Sequence, residues 1–337
     1  MTRIKAPAEL PELVRAAFSK ARSSGDLHFF PTQVALLNVD SIPFQLRFSP
    51  ALANKPKGPT RDPTTPQKPF DPFENPPAAL KVADLGPAHF LVLNKFAVVP
   101  EHFILATTPF KHQTHVLEPD DLESTLACIE AYDAVAGEEA TSGGGQSEQG
   151  LYAFFNCGDH SGASQPHRHI QLLPIARMRD GLDGQSSAWD VMVDRLDALK
   201  PPFSVFSEAI RLGMSGEELH QTYLRLYRRA CRAVAVHTGD GAAATSQDAP
   251  SQGETLISYN MAMTKNTMAI APRLAEGARI VGPDGQDLGS VALNGTVLAG
   301  TALVKNEVEW EALVKDAKGL HVVLKAIGIP QEGSWKS

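Results

Sequence analysis

The chain has few cysteines and no long apolar segment. Only Cys128, Cys157 and Cys231 occur among 337 residues, and no two of them form a CxxC pair. A zinc site built from cysteine alone is therefore excluded, and the composition fits a reducing compartment. No run approaches the ~20 apolar residues of a membrane span, and the first residues lack the apolar core of a signal peptide. We expect no membrane association and a location in the cytoplasm, with the nucleus as a second option.

An excess of positive charge and two common enzyme motifs are also missing. The formal net charge is −7, which argues against a general binder of nucleic acids or anionic membranes. Any affinity for polyanions must therefore come from a local pocket. Neither a GxxxxGK[ST] phosphate-binding loop nor a GxSxG nucleophile elbow occurs. The sequence therefore favours neither a P-loop nucleotidase nor a serine hydrolase.

The chain is long enough for one large domain or two ordinary ones, and 43% of its residues are hydrophobic. Its character changes after Pro174, and a stretch rich in glycine, alanine, serine and glutamine occupies 237–253. We predict an N-terminal catalytic region, 1–185, and a C-terminal region, 186–337, which contains this flexible linker. A segment rich in proline, lysine and threonine predicts a long loop at 54–79.

Apolar periodicity predicts an α+β fold with a mainly antiparallel sheet and flanking helices. The predicted helices are 8–22, a helix that begins at Pro119, 187–199, 215–236, 306–317 and 319–327. Ser215 and Glu218 form a capping box at the start of one of them. The predicted strands are 33–39, 42–48, 89–95, 97–106, 151–156, 167–173, 255–264, 267–271 and 296–304.

Residues 156–171 are the most distinctive stretch. Small and polar residues crowd into 158–165, and His167, His169 and Gln171 then alternate with other residues. In an extended strand, alternate side chains point to the same face, so two imidazoles and one amide lie side by side. A glycine- and serine-rich loop can turn tightly and direct backbone N–H groups at an anion. The combination predicts nucleophilic attack by histidine on a phosphate.

Two other interpretations of the histidine pair remain open. The histidines can be ordinary strand residues, or they can be metal ligands, since imidazoles are common ligands of zinc. A structural strand does not require the upstream loop, whereas a phosphate site does. Asn156, just before the loop, is placed to donate a hydrogen bond to a phosphate or to a ribose hydroxyl. We therefore favour the phosphate site and predict no bound metal.

The run Asn-Cys-Gly…Ser-Gly-Ala-Ser-Gln-Pro-His-x-His-x-Gln at 156–171 resembles the histidine-triad superfamily, in its H-x-H-x-Q transferase branch. More specifically, it resembles the fungal diadenosine tetraphosphate phosphorylases, also called ATP adenylyltransferases. The resemblance covers most of the chain and implies a histidine-triad-like sheet, with a C-terminal extension that completes the nucleotide site. Further similar segments are 44–47 with 55–56, 68–72, 89–96, 258–264, 271–273 and 294–305.

The resemblance implies a reaction and a role for each histidine. His169 attacks the α-phosphorus of diadenosine tetraphosphate, and ATP leaves. Inorganic phosphate then takes the adenylyl group from the histidine and leaves as ADP, in a reversible reaction. His167 helps to order the strand and the pocket. Phosphorolysis of adenylylsulfate is implied as a further activity.

Gln171 indicates transfer rather than hydrolysis. Histidine-triad hydrolases carry a third histidine here, which can move a proton to a poor leaving group or from water. Glutamine cannot do so near neutral pH, although it can donate a hydrogen bond to a phosphate oxygen. A polyphosphate leaving group and a phosphate acceptor need little acid or base catalysis. The step then depends on positioning and on charge stabilisation.

The remaining substrate contacts are implied by the resemblance. Three lysines supply positive charge, and two of them, Lys95 and Lys305, also follow apolar strands. The loop residues wrap the phosphates. For Asn294-Gly295, an ordinary turn also remains open. The predicted substrate-binding residues are Lys55, Asn94, Lys95, Asn156, Gly162, Ala163, Ser164, Gln165, Gln171, Asn294, Gly295, Thr296, Thr301 and Lys305.

The implied partners are small molecules, namely diadenosine tetraphosphate, phosphate, ATP and ADP, and not nucleic acid or membrane. The chemistry requires no cofactor, and a divalent cation such as Mg²⁺ can accompany the polyphosphate. A monomer or a homodimer is expected. Two rival functions remain open: a sugar-1-phosphate nucleotidylyltransferase with the same H-x-H-x-Q motif, and a nucleotide-binding sensor without turnover. Six further histidines show no regular spacing and receive no role: His102, His112, His115, His220, His237 and His321.

Overall fold

The computed structural model describes residues 3–54, 70–140, 150–239, 249–282 and 285–331. Most of the predicted loop at 54–79 and most of the predicted linker at 237–253 lie outside these ranges. None of the described helices is both long and apolar enough to cross a membrane. The α-helices in the described ranges are α1 (Leu10–Ser24), α2 (Pro119–Ala140), α3 (Ile175–Met178), α4 (Gly216–Thr238), α5 (Glu307–Lys315) and α6 (Lys318–Ile327).

The strands form one large sheet and three smaller groups. They are β1 (His28–Phe29), β2 (Gln33–Val39), β3 (Ile42–Phe48), β4 (Lys81–Leu85), β5 (His89–Leu93), β6 (Phe96–Ala97), β7 (Phe103–Thr107), β8 (Leu151–Cys157), β9 (His169–Pro174), β10 (Phe206–Ala209), β11 (Tyr259–Met263), β12 (Thr267–Pro272), β13 (Gly277–Val281), β14 (Asp287–Ala292) and β15 (Thr301–Val304). Eight of them pair antiparallel in the order β10-β12-β11-β8-β9-β7-β5-β4. A three-stranded sheet has the order β15-β3-β2, and β1-β6 and β13-β14 are pairs. This architecture confirms the predicted α+β class.

The large sheet is covered on both faces. Successive side chains of a strand point to opposite faces, and β8 shows this clearly. Phe155 belongs to a core shared with α1, α2 and α4, whereas Phe154 belongs to a second core shared with β3 and α6. The central strands β8 and β9 are therefore fixed by neighbours on both edges and by apolar packing on both faces.

Several predicted elements are confirmed. The hairpin of β2 and β3 turns at Asp40 and Ser41, which have left-handed φ angles of 52° and 68°. Helix α4 begins after Ser215, whose hydroxyl accepts from the backbone of Glu218 while the Glu218 side chain returns to the Ser215 N–H. The helix continues to Thr238, so the first two residues of the predicted linker are helical.

Three predicted elements are wrong. Residues 187–199 form only the short 3₁₀ turns Ser186–Ala188 and Met192–Arg195, because Trp189 and Val191 between them are extended and bury their side chains. The predicted strand 97–106 is divided into β6 and β7 by a loop in which Glu101 has a φ of 61°. The predicted strand 296–304 begins as a 3₁₀ helix, Gly295–Ala299, and only its second half forms β15. Strands β1, β4, β10, β13 and β14 are not among the predicted elements.

The large sheet contains strands from both sides of the predicted boundary at 185. Strand β11 pairs with β8 along its whole length, from Tyr259 opposite Cys157 to Met263 opposite Ala153. Strands β12 and β10 then extend the sheet outward. The C-terminal region is therefore joined to strand β8, next to the strand of the histidine motif, by backbone hydrogen bonds, and the division itself stays a prediction.

Arg168, between the two motif histidines, anchors their strand to the start of α2. Its Nη1 donates to Asp121 Oδ2 at 2.7 Å and to Glu118 Oε1 at 2.9 Å. Asp121 Oδ1 accepts from His89 Nε2 at 2.8 Å. Burial acts to raise the pKa of Asp121, but the hydrogen bond from His89 and the charge of Arg168 hold it below its usual value. The buried carboxylate is therefore ionised and holds the motif strand in place.

Replacing Asp121 by alanine should lower the free energy of unfolding by about 3 kcal/mol, because it leaves a buried guanidinium without its main partner. Urea denaturation measures this change. The matched control is Asp120→Ala, in the same helical turn but exposed, which should change stability by less than about 0.5 kcal/mol. Equal losses in the two variants would contradict the anchoring role.

Candidate active site

The candidate site lies where β8 and β9 separate. The two strands pair only as far as Phe154 and Gln171. Beyond this point, the buried side chain of Gln113 fills the gap between them. Its Oε1 accepts from the His169 N–H at 2.8 Å, and its Nε2 donates to the carbonyls of Asn156 at 2.8 Å and His169 at 3.1 Å. One glutamine therefore replaces the missing ladder bonds and fixes His169 relative to Asn156.

His169 has a defined tautomer. Its Nδ1 lies 2.8 Å from the carbonyl oxygen of His167, which can only accept, so Nδ1 carries the proton and Nε2 carries the lone pair. Burial lowers the pKa of His169 to about 4. The ring of Phe73 packs beside it, with 5.0 Å between the centroids. His169 is therefore a neutral imidazole at pH 7 and is reactive through Nε2.

Both ring nitrogens of His167 are occupied by protein atoms. Nδ1 lies 2.7 Å from Asp71 Oδ2, and Nε2 lies 2.8 Å from the carbonyl oxygen of Thr107. Neither nitrogen is then free to attack phosphorus or to bind a metal. This geometry supports the predicted division of roles, in which His169 reacts and His167 orders the pocket.

The glycine-rich loop packs closely on two C-terminal segments. Gly158 and Gly162 have left-handed φ angles of 84° and 79°. A Cβ at Gly158 would lie 2.4 Å from Ser258 Oγ, and one at Gly162 would lie 2.8 Å from Asn294 Cβ. Ser164 and Gln165, further along, make no hydrogen bond to another described residue. Their N–H groups and side chains are therefore available to a phosphate.

Asn156 connects the loop to the C-terminal region. Its Oδ1 accepts from Asn260 Nδ2 and from the Gly295 N–H, both at 2.9 Å. Asn260 Nδ2 also donates to the Ser161 carbonyl at 2.9 Å, and its Oδ1 accepts from Arg273 Nη1. The Asn156 Nδ2 group makes no hydrogen bond to a described residue. It has donor capacity left for a ligand, and the predicted contact itself stays a prediction.

The predicted residues of the closing segment lie beside this network. Asn294 Oδ1 accepts from the N–H of Thr296 at 3.0 Å and from its hydroxyl at 2.9 Å, so the segment is also the capped turn that the sequence left open. Thr301 is buried in β15, directly opposite Gln45 of β3. The Thr301 hydroxyl and the Gln45 amide nitrogen have no hydrogen-bond partner in the described structure.

The lysines are less well placed than the polar residues. Lys95 is exposed, with its Nζ 5.9 Å from the centroid of the Phe96 ring, and Lys305 is exposed after β15. Neither is ion-paired with a described carboxylate. Lys55 lies outside the described residues. The structure therefore leaves the ammonium groups at the surface and does not show a contact between them and His169.

Sequence reasoning missed Gln113, Asn260 and His102. Gln113 bonds to backbone atoms 43 and 56 residues away, and no sequence pattern marks such partners. His102 was set aside for lack of regular spacing, yet its Nε2 lies 2.6 Å from Gln171 Oε1. The register of β7 and β9 is the signal that finds His102, because Ile104, two residues after His102, pairs with Gln171.

A cavity in the described structure is separate from this site. This cavity of about 280 Å³ lies at the opposite end of β8, where Leu151, Asp194 and Thr264 line it. Within the described ranges, no group of three or more His, Cys, Asp and Glu side chains is arranged to hold a metal ion. The strand ends that carry His169 are therefore the centre of the candidate chemistry.

The antiparallel sheet, the neutral buried histidine and the adjoining glycine-rich loop together define a nucleotidyltransferase with a histidine-triad type of site. Residues 1–183 match the family model described as the Ap4A phosphorylase N-terminal domain, and residues 199–330 match the ATP adenylyltransferase C-terminal domain. The first match covers more than half of the chain, and the chain belongs to the Ap4A phosphorylase family.

Similar proteins support this assignment. Diadenosine 5',5'''-P1,P4-tetraphosphate phosphorylase 2 of Saccharomyces cerevisiae is 28% identical over 87% of this chain and 86% of its own length. Protein APA1 of the same yeast is 25% identical over 98% and 97%. The crystal structure of yeast Ap4A phosphorylase Apa2 in complex with Ap4A aligns with a TM-score of 0.70 at 25% identity, covering 96% of this chain and 98% of that chain. The predicted family and fold class are confirmed.

Replacing Gln113 by leucine should lower the free energy of unfolding by about 3 kcal/mol, because buried backbone groups of Asn156 and His169 lose their partners. Urea denaturation measures the change. The control is Gln185→Leu at an exposed glutamine, which should alter stability by less than about 0.5 kcal/mol. A Gln113→Leu variant as stable as this control would show that Gln113 does not hold the strands.

Proposed function

We propose that the protein splits diadenosine tetraphosphate with inorganic phosphate into ATP and ADP, reversibly, through an adenylyl group carried on His169. The observation that carries the proposal is the hydrogen bond from His169 Nδ1 to the His167 carbonyl, which leaves Nε2 unprotonated. Family membership supports the substrate class, since one relative is named a tetraphosphate phosphorylase and a solved relative holds Ap4A.

In the first step, the Nε2 lone pair of His169 attacks the α-phosphorus. The N–P bond forms, the bond from that phosphorus to the bridging oxygen breaks, and ATP leaves with the electron pair. Positive charge develops on the imidazole, and the His167 carbonyl stabilises it by accepting from Nδ1–H. The N–H groups of Ser164 and Gln165 are available to the non-bridging oxygens.

In the second step, an oxygen of inorganic phosphate attacks the same phosphorus. The P–N bond breaks, ADP departs, and His169 returns to its neutral form. ATP leaves as a stable anion and phosphate is already a nucleophile, so neither step needs a proton shuttle. Glutamine at position 171 is therefore sufficient, and its amide can donate to the phosphoryl oxygens.

The proposal has several further parts. It includes no resident cofactor, and Mg²⁺ enters, where present, with the polyphosphate. Adenylylsulfate is a second substrate, since sulfate also leaves as a stable anion. The protein acts in the cytoplasm, with the nucleus as a second location, as a monomer or a homodimer.

A substrate comparison separates the rival functions. A sugar-1-phosphate nucleotidylyltransferase would transfer a nucleotide from a nucleoside diphosphate sugar, and a sensor would bind nucleotide without forming products. Incubation with diadenosine tetraphosphate and phosphate should yield ATP and ADP. Turnover of a nucleotide sugar alone would favour the first rival, and binding without products would favour the second.

His169→Ala should abolish the covalent adduct, because the variant lacks the attacking nitrogen. Mass spectrometry of protein quenched after mixing with diadenosine tetraphosphate, without phosphate, should show one added AMP on the wild type and none on the variant. The control is His160→Ala, an exposed histidine of the same loop, which should keep the adduct. An adduct on His169→Ala would show that another residue is the nucleophile.

The rate of adduct formation should be nearly independent of pH on the acidic side of neutrality. The neutral imidazole is the reactive form, and burial lowers the pKa of His169 to about 4. The rate constant should therefore change less than about twofold between pH 8 and 5.5 and fall as the pH drops through about 4. A histidine with an ordinary pKa would lose about tenfold by pH 5.5. Rapid-quench measurements over this range distinguish the two profiles.

A further inference from the structure

His102 lies outside the H-x-H-x-Q motif, in the loop between β6 and β7, and hydrogen-bonds to the motif's glutamine. Its Nε2 is 2.6 Å from Gln171 Oε1, and its Nδ1 is 3.1 Å from Asn94 Nδ2. The His102 carbonyl also accepts from the Asn94 N–H at 2.9 Å. The buried imidazole therefore links two side chains that are both predicted to contact the substrate.

The contacts of Asn94 determine the direction of each of these hydrogen bonds. Asn94 Oδ1 accepts from the Phe96 N–H at 3.0 Å, so its Nδ2 group is the one that faces His102. That group donates to Nδ1, which must then be unprotonated. A neutral imidazole with an acceptor at Nδ1 carries its proton on Nε2. Nε2–H consequently donates to Gln171 Oε1, and the NH₂ group of Gln171 is turned away from His102.

The strand register places this amide beside the nucleophile. Ile104 pairs with Gln171 and Ala106 pairs with His169, so the two motif residues are two positions apart on β9 and share a face. The NH₂ group of Gln171 makes no hydrogen bond to a described residue. It is therefore free to donate to a phosphoryl group bound at His169.

We propose that His102 is a positioning residue that holds the Gln171 amide with its NH₂ group toward the phosphoryl oxygens. The inference rests on the proposed function and deepens it. Without the donor at His102, the amide can rotate by half a turn and present its oxygen to the phosphate, which is repulsive. A protonated His102 would lose the hydrogen bond from Asn94, and burial keeps the ring neutral by lowering its pKa to about 4.

Two amide variants of the full chain test the proposal. His102→Gln places an amide nitrogen near the position of Nε2 and can still donate to Gln171. His102→Asn is one methylene shorter, so it reaches the Asn94 side but not Gln171. Single-turnover adduct formation from diadenosine tetraphosphate should stay within about threefold of wild type for His102→Gln and slow by about tenfold or more for His102→Asn. The substrate concentration for half-maximal rate should change less than about twofold, because the contact acts in the transition state.

A double-mutant cycle separates positioning from a structural role. In a Gln171→Ala background, His102→Asn should cause no further slowing, because the amide that it orients is gone. An equal slowing in both backgrounds would overturn the inference, as would a His102→Gln variant as slow as His102→Asn. If His102→Asn does not fold, His102→Leu replaces it in the same cycle. A wild type that forms no adduct would overturn the proposed function as well, whereas failure of the inference alone leaves the wild-type adduct intact.

Discussion

The arrangement of the candidate site depends on one hydrogen bond, which His169 Nδ1–H donates to the His167 carbonyl. It selects the tautomer whose Nε2 carries the lone pair, and it requires the backbone of these two residues to be held in a fixed geometry. Three side chains hold this geometry. Gln113 fixes the His169 backbone, Arg168 fixes the strand to α2, and Asp71 fixes the His167 ring. A backbone carbonyl thereby orients the His169 imidazole, the proposed nucleophile, as a carboxylate orients the base of a hydrolytic triad.

The C-terminal half of the chain completes the site by direct bonding to its core. Asn260 and Gly295 both donate to Asn156, and Arg273 donates in turn to the side-chain oxygen of Asn260. Because β11 also pairs with β8, a shift of the C-terminal strands would be transmitted to the glycine-rich loop that follows β8. The two family-model regions therefore form one continuous catalytic sheet and share one set of buried polar contacts.

Local patterns predicted the parts of this arrangement that depend on neighbours in sequence. The alternation of His167, His169 and Gln171 predicted a strand, which the structure contains as β9, and the capping box predicted the start of α4. Periodicity failed at 187–199, where the chain follows the surface of the second core instead of forming a helix. It also could not find Gln113 or His102, because their roles depend on which strands lie side by side. Such pairing is a property of the tertiary fold and leaves no mark on the spacing along a single chain.

Burial and exposure explain why the His169 imidazole is uncharged while the ammonium groups of Lys95 and Lys305 lie at the surface. Ionising a buried imidazole is costly, and burial accordingly lowers the pKa of both His102 and His169 to about 4. The groups that bond to these two imidazoles are uncharged, namely the His167 carbonyl and the amides of Asn94 and Gln171. Lys95 and Lys305 are exposed, where water solvates them. In a chain with a net charge of −7, two such surface cations do not make a general binder of polyanions. The low pKa of His169 keeps its Nε2 unprotonated at neutral pH, as the proposed attack on phosphorus requires.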